Sequence, residues 1–189
     1  MIPYEFREPL ATERLRIRLM TPADTDAVHA YQSRADVCEY LLFEPRSRAT
    51  VVEKVAAASA ATRFEKDGDD WRLAVERVAD GAVLGELYFS LARAEHQCAE
   101  IGWMFHPDYF GNGYGQESAR ALLRLGFETV QCHRIVAELT PQNTASVNLC
   151  RRLGMREEAY FVENLMLKGR WQDTGVYAML RSEWNAAGD

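Results

Sequence analysis

The sequence predicts a mixed α+β fold of about seven strands and about four helices, in the order β-αα-βββ-α-β-α-ββ. Three observations carry this reading. Several segments alternate apolar and polar residues with a period of two, helix starts are marked by capping residues, and glycine-bearing turns separate successive strands.

Thr12 to Leu19 alternates strictly and reads as a strand with one wet face. Thr21-Pro22-Ala23-Asp24 opens a helix, with threonine as N-cap, proline in the first turn and an acid beside it. Thr50-Val51-Val52-Glu53 reads as a capping box, ahead of a helix with Val52, Val55, Ala56 and Ser59 on one face and an end near Phe64. Trp71–Val78 and Val83–Leu91 are strands joined by a turn at Asp80-Gly81. Cys98–Phe105 follows, with Ala99, Ile101, Trp103 and Phe105 on one side and Glu100, Gly102 and Met104 on the other. Behind residue 113 a helix carries Ala119, Leu122, Leu123, Gly126 and Phe127 as one apolar stripe. Arg134–Leu139 is a strand, and Asn143–Leu153 a helix closed by Gly154. Tyr160–Leu167 and Thr174–Arg181 form the last hairpin around Lys168-Gly169-Arg170-Trp171.

The segment between the 98–105 strand and its helix is the most informative. His106-Pro107-Asp108-Tyr109-Phe110-Gly111-Asn112-Gly113-Tyr114-Gly115-Gln116 places glycines at alternate positions just before a helix start. Glycines let successive N–H groups turn toward one point, and the helix adds its own unpaired N–H groups and dipole. Such a junction suits an anion, most often a phosphate. A dinucleotide fingerprint would need glycine where Gln116 stands, and a nucleotide P-loop would need Lys-Ser/Thr after Gly115. A bare glycine turn also serves as a simple flexible connection, so the flanking strand and helix carry the functional reading.

At 189 residues, with no Pro/Ser/Gly linker and no internal repeat, residues 1–189 read as one domain. No apolar run approaches the roughly 20 residues of a membrane span, and Met1-Ile2-Pro3-Tyr4-Glu5 lacks a basic-then-apolar leader. Cys38, Cys98, Cys132 and Cys150 form no C-x-x-C pair, and the four histidines are scattered. Neither a metal nor a disulfide framework is suggested, and the expected setting is cytoplasmic. A net charge of −6 argues against nucleic acid and suits an amine-bearing partner.

The element order, the Phe110–Gly115 loop, and Asn143-x-x-Ser146 followed by Leu153-Gly154-Met155 resemble the GNAT N-acetyltransferase superfamily. Thr12-Glu13-Arg14-Leu15, Glu100-Ile101-Gly102-Trp103, Trp171-x-Asp173 and Ser182-Glu183-Trp184 are similar to the RimJ/RimL-type ribosomal-protein N-terminal acetyltransferases. The resemblance spans residues 12–184. It implies a mostly antiparallel sheet splayed at the cofactor strand pair, acetyl-CoA as co-substrate, an amine acceptor (a protein N-terminus or a small molecule), direct transfer in a ternary complex, and a homodimer by family habit. Carried across, it assigns the coenzyme to Gly111, Asn112, Gly113, Tyr114, Gly115 and Gln116 for the pyrophosphate. Backbone groups of Met104, Phe105 and His106 would meet the pantetheine arm as an added strand would. Asn143 would contact the cofactor amide, cap its own helix, or both.

Amine acylation needs a base for the ammonium proton and an acid for the departing thiolate. Glu100 matches the position of a glutamate base in several superfamily members; its alternative is a strand-face carboxylate paired with Arg72 or Arg134, and Glu138 is held in reserve. Many members use a tyrosine as acid where this chain has Cys150, and the RimJ/RimL resemblance points instead to Ser146, which otherwise reads as a helix-start hydroxyl. Tyr40, Tyr88 and Trp103, with Phe43 and Trp171, are candidates for an aromatic acceptor mouth, although aromatics at such positions more often belong to the core, and Glu44, Glu86 and Asp173 are candidates for drawing in a protonated amine. An acetyl-CoA-binding sensor without turnover and an unrelated α/β nucleotide-binding module stand as the other two readings.

Overall fold

The computed structural model describes residues 4–186. Part of the segment read for a leader, Met1–Pro3, and the C-terminal residues 187–189 lie outside the described residues. In chain order the strands are β1 (Tyr4–Glu5), β2 (Leu10–Ala11), β3 (Leu15–Leu19), β4 (Arg63–Phe64), β5 (Asp70–Arg77), β6 (Val83–Arg93), β7 (Cys98–Phe105), β8 (Arg134–Leu139), β9 (Arg156–Leu167) and β10 (Arg170–Leu180). The helices are α1 (Thr25–Gln32), α2 (Ala35–Cys38), α3 (Arg48–Ala60), α4 (Tyr114–Arg124), α5 (Thr144–Arg152) and α6 (Arg181–Ala186). The fold is the expected α+β architecture, with eight strands rather than seven in the main sheet, ordered β2-β3-β5-β6-β7-β8-β10-β9. Every neighbouring pair is antiparallel except β7–β8, which is parallel.

The two faces of the sheet carry separate cores. On one, Leu15, Ile17, Trp71, Leu73, Leu87, Phe89, Ile101 and Phe105 pack against Ala119, Leu122 and Leu123 of α4 and Val147 and Leu149 of α5. On the other, Ala74 and Met104 meet Val28 and Tyr31 of α1 and Val51, Val55 and Ala58 of α3. Each fully buried Leu, Ile or Phe in these clusters contributes roughly 1.5–3 kcal/mol.

Several boundaries move. Ser47, extended at φ −68° and ψ 157°, accepts from the Thr50 N–H at 3.2 Å, so α3 begins at Arg48 and Thr50 lies inside its first turn. The buried face also differs from the predicted one: Val51, Val55 and Ala58 are buried, whereas Val52 is 44% exposed. The helix stops at Ala60 because Arg63–Phe64 pairs with Tyr4–Glu5, and the Phe64 ring stacks on Trp71 at 3.7 Å. The closing hairpin is longer than predicted and turns at Lys168 (φ 51°) and Gly169 (φ 75°), the double left-handed geometry of a tight hairpin. The 98–105 and 134–139 strands fall where predicted.

Gly85 lies where β6 crosses β7. A Cβ there would sit 2.2 Å from the Met104 carbonyl oxygen and 2.8 Å from the Phe105 ring. Backbone cannot yield as a side-chain tip can, so Gly85→Ala is expected to lower the thermal midpoint by roughly 3–10 °C. Circular dichroism melting checks this; an unchanged midpoint would show that the strand pair shifts freely.

Candidate active site

Strand register builds the first half of the site. Opposed residues share a face, so Asp70, Ser90 and Glu100 form one row across β5–β6–β7 and Arg72, Tyr88 and Gly102 the next. The third row, Ala74, Glu86 and Met104, reaches the cover of α1 and α3, whose core includes Ala74 and Met104. The first two rows line the open part of this face.

The second half comes from the far side. β7 and β8 pair only at Cys98–Arg134, Ala99–Ile135 and Glu100–Val136. Beyond Glu100 the strands have no further paired positions, and the splay implied by the family resemblance appears as a slit in the sheet. Trp103 belongs to the opposite face from Glu100, yet both line one cleft of about 610 Å³ that follows this slit. Tyr40, Phe43, Tyr88, Met104, Glu138, Asn143 and Ser146 line it too. Trp171, Asp173 and Glu44 do not. Trp171 is 57% exposed, Asp173 accepts from the Glu163 N–H and the Tyr160 hydroxyl, and Glu44 lies 3.9 Å from Lys168.

Glu100 is half-buried, and among the described residues its carboxylate has no hydrogen-bond donor and no cation within 4 Å. The alternative pairings are absent: Arg134 is engaged by Glu158, and Arg72 lies 3.4 Å from Asp70 and 3.7 Å from Glu86. Burial raises the Glu100 pKa above the usual carboxylate value, the Glu138 charge raises it further, and Arg72 opposes both. Glu138 itself is exposed.

Ser146 stands in the first turn of α5. Asn143 caps that helix, its Oδ1 accepting from the Ser146 N–H at 3.1 Å. The Trp103 indole Nε1–H donates to Ser146 Oγ at 3.2 Å, a bond that sequence spacing could not reveal. That bond occupies an oxygen lone pair of Ser146 and leaves its hydroxyl proton available for donation. Cys150 is fully buried and its thiol is pushed up to about 12 by burial, so it offers no thiolate.

The glycine loop lies outside the cleft lining and forms a second feature. Gly111 (φ 78°) and Gly113 (φ 80°) take the left-handed conformation, and Gly113 is the N-cap of α4. None of the N–H groups from Gly111 to Gln116 donates to a backbone carbonyl of the described residues. Six consecutive N–H groups at a helix start fit a diphosphate. The loop is braced: Asn112 Nδ2 donates to the carbonyls of Tyr109 and Phe110, and Arg14 Nη1 donates to the Asn112 carbonyl at 3.0 Å. Arg14 also pairs with Glu117 at 2.7 Å and lies 4.6 Å above the Tyr114 ring. Thr12 and the Arg14 N–H donate to the same Glu117 carboxylate. The only sequence signal for this brace was Thr12-Glu13-Arg14-Leu15, quoted above for the resemblance alone.

The pantetheine expectation narrows. His106 donates its N–H to Leu84 at 2.9 Å, and its carbonyl accepts from Tyr109 at 3.0 Å, so neither group is free for an added strand. Its Nδ1 accepts from Asp108 at 3.3 Å. By strand alternation Met104 aims its main-chain groups toward β6, and Phe105 aims its own into the slit.

Residues 14–156 match the model of the acetyltransferase (GNAT) domain. The chain belongs to the GNAT acetyltransferase family. It is 32% identical to the uncharacterized N-acetyltransferase YnaD of Bacillus subtilis, over 93% of this chain and 99% of that protein. An acetyltransferase (GNAT family) crystal structure from Bacillus anthracis superimposes with a TM-score of 0.84 at 32% identity, covering 93% of this chain and 99% of that one. The [ribosomal protein uS5]-alanine N-acetyltransferase of Escherichia coli is 27% identical over 93% of this chain and 92% of its own length, a more distant likeness. This GNAT protein is therefore an acetyl-CoA-dependent N-acetyltransferase, and the reading as an unrelated nucleotide-binding module falls away. Among its described residues no helix is long and apolar enough to cross a membrane.

Proposed function

We propose that this acetyltransferase moves an acetyl group from acetyl-CoA directly onto a primary amine held in the same ternary complex. The supporting observation is the convergence of Glu100 and Ser146, from opposite faces of the sheet, on one cleft along the β7–β8 slit. Acetyl-CoA supplies the activated acyl carbon and a thiolate leaving group. The N–H groups of Gly111–Gln116 hold its diphosphate, Phe105 offers main-chain groups to its arm, and Asn143 fixes the helix that presents Ser146.

Glu100 takes the proton of the incoming ammonium, directly or through one water, as a carboxylate with no competing partner and a raised pKa can. The amine nitrogen bonds to the acyl carbon, and as the carbon–sulfur bond breaks the Ser146 hydroxyl passes its proton to the sulfur and is reprotonated by the second proton that the nitrogen sheds in becoming an amide. Trp103 holds Ser146 Oγ in register for that transfer. Tyr40 and Tyr88 flank the acceptor. The four free, buried cysteines support a reducing, cytoplasmic setting.

Free-thiol release from acetyl-CoA in the presence of amines tests the reading directly. Ser146→Ala is expected to lower kcat by about tenfold to a hundredfold with little change in KM. An unaltered kcat would remove Ser146 as the acid, and absence of thiol release with every amine would leave the sensor reading in its place.

A further inference from the structure

Beside the cleft lies a second cavity of about 340 Å³, and Arg46, Arg72 and Glu86 line both. Glu86 was a candidate for attracting a protonated amine, but it is only 4% exposed and already satisfied. Its Oε2 accepts from the Tyr31 hydroxyl at 2.9 Å and from Gln32 Nε2 at 2.8 Å, while Arg72 stands 3.7 Å from Oε1. Arg72 is shared with Asp70 at 3.4 Å and lies 4.2 Å over the Tyr88 ring.

Arg46 differs from its neighbours. Its Nη1 donates to Gln32 Oε1 at 2.7 Å, a neutral partner, and its guanidinium lies 3.5 Å over the Phe43 ring. Its own N–H is tied to the Gln32 carbonyl at 2.9 Å, which fixes the base of the side chain. No carboxylate of the described residues lies within 4 Å of it. Gln32 stands between Arg46 and Glu86, bonding one with its oxygen and the other with its nitrogen. Burial pulls the Arg46 pKa down, the Glu86 charge partly offsets it and Arg72 adds to the lowering. A guanidinium held in place by stacking and one neutral bond keeps several N–H donors for a planar oxyanion.

We infer that the acceptor is a small amino carboxylate, its amine presented to Glu100 and its carboxylate held by Arg46 across the aromatic mouth of Phe43 and Tyr88. The inference rests on the acetyl-transfer reading and names the substrate class for it. The cleft volume of about 610 Å³ suits a small molecule. A second cationic group placed at the Arg46 end of the cleft would meet like charge there, a cost that a carboxylate in that place avoids.

Paired acceptors test this: lysine against cadaverine and tyrosine against tyramine, each followed by free-thiol release with the purified full-length protein. The carboxylate-bearing member is expected to show a kcat/KM at least about tenfold above its decarboxylated partner. Arg46→Gln is expected to remove that preference through KM, lowering the rate for lysine or tyrosine by about tenfold and that for the decarboxylated amines by much less, with Arg46→Lys restoring part of it. Unchanged circular dichroism confirms that each variant is folded. Preference for the decarboxylated amines, an equal loss for both members of a pair, or turnover of neither while acetyl-CoA still raises the melting temperature would overturn the inference. Failure of acetyl-CoA to stabilise the wild-type protein would instead overturn the acetyl-transfer reading, and this inference with it.

Discussion

Gly113→Val is expected to raise the dissociation constant for acetyl-CoA by about a hundredfold, near 3 kcal/mol at 1.4 kcal/mol per factor of ten. The residue stands at φ 80°, where a β-branched side chain is strained, and the added side chain would lie against Arg14, whose Nη2 is 3.4 Å from the Cβ position. Relief of that strain rotates the neighbouring N–H groups off their common focus, so binding is lost even where the fold survives. Gly111→Ala makes a useful contrast. Its φ of 78° carries the same kind of strain, but nothing lies within 4 Å of the added atom, so a smaller loss is expected. Titration calorimetry with acetyl-CoA measures both, and an unaltered affinity in Gly113→Val would dissociate the loop from the diphosphate.

Glu100→Gln is expected to lower kcat by about a hundredfold near neutral pH while leaving acetyl-CoA affinity intact. The deficit should be largest between the raised pKa of Glu100 and the amine pKa of ~10. Below that window the wild-type carboxyl is already protonated; above it the acceptor sheds its proton unaided. The same shift has a stability consequence. Because burial raises the folded-state pKa of this carboxyl above its ordinary value of 4.5, the favourable contribution of its neutral form is complete below pH 4.5 and is lost as pH rises through the folded pKa. The neutral glutamine avoids that loss, so the variant should melt higher than wild type at pH 7 and match it in the acid range. Rate–pH profiles and melting curves at the two pH values check the pair; a variant with a parallel rate profile would exclude Glu100 as the base.

Local signals made most of the scaffold legible. The 98–105 and 134–139 strands alternate cleanly, and Asn143 and Gly154 mark both ends of α5, so their bounds could be read from neighbouring residues. The two-residue strands β1 and β4 could not, because each exists only through the other, some sixty residues away in the chain. Thr50 looked like a helix start to local rules, and the Ser47 hydroxyl, which accepts from the Thr50 N–H, sets the start earlier. In the site, Glu100, Ser146 and Asn143 were nominated through the family resemblance. Their isolation, bonding and shared cleft were not, since Trp103 meets Ser146 only because two strands part. Arg46 gave no signal at all. It lies in a loop without periodicity, and its meaning comes from what Gln32, Phe43 and Glu86 leave unpaired around it.

Among the described residues, β7 and β8, the seam between the β2–β7 and β8–β10 parts of the sheet, share three paired positions. In the proposed ternary complex, a ladder continued past Glu100 would put a wall of main chain between the two reactants. The interruption would make a doorway instead, open to the thioester from the helix α4 side and to the amine from the opposite one.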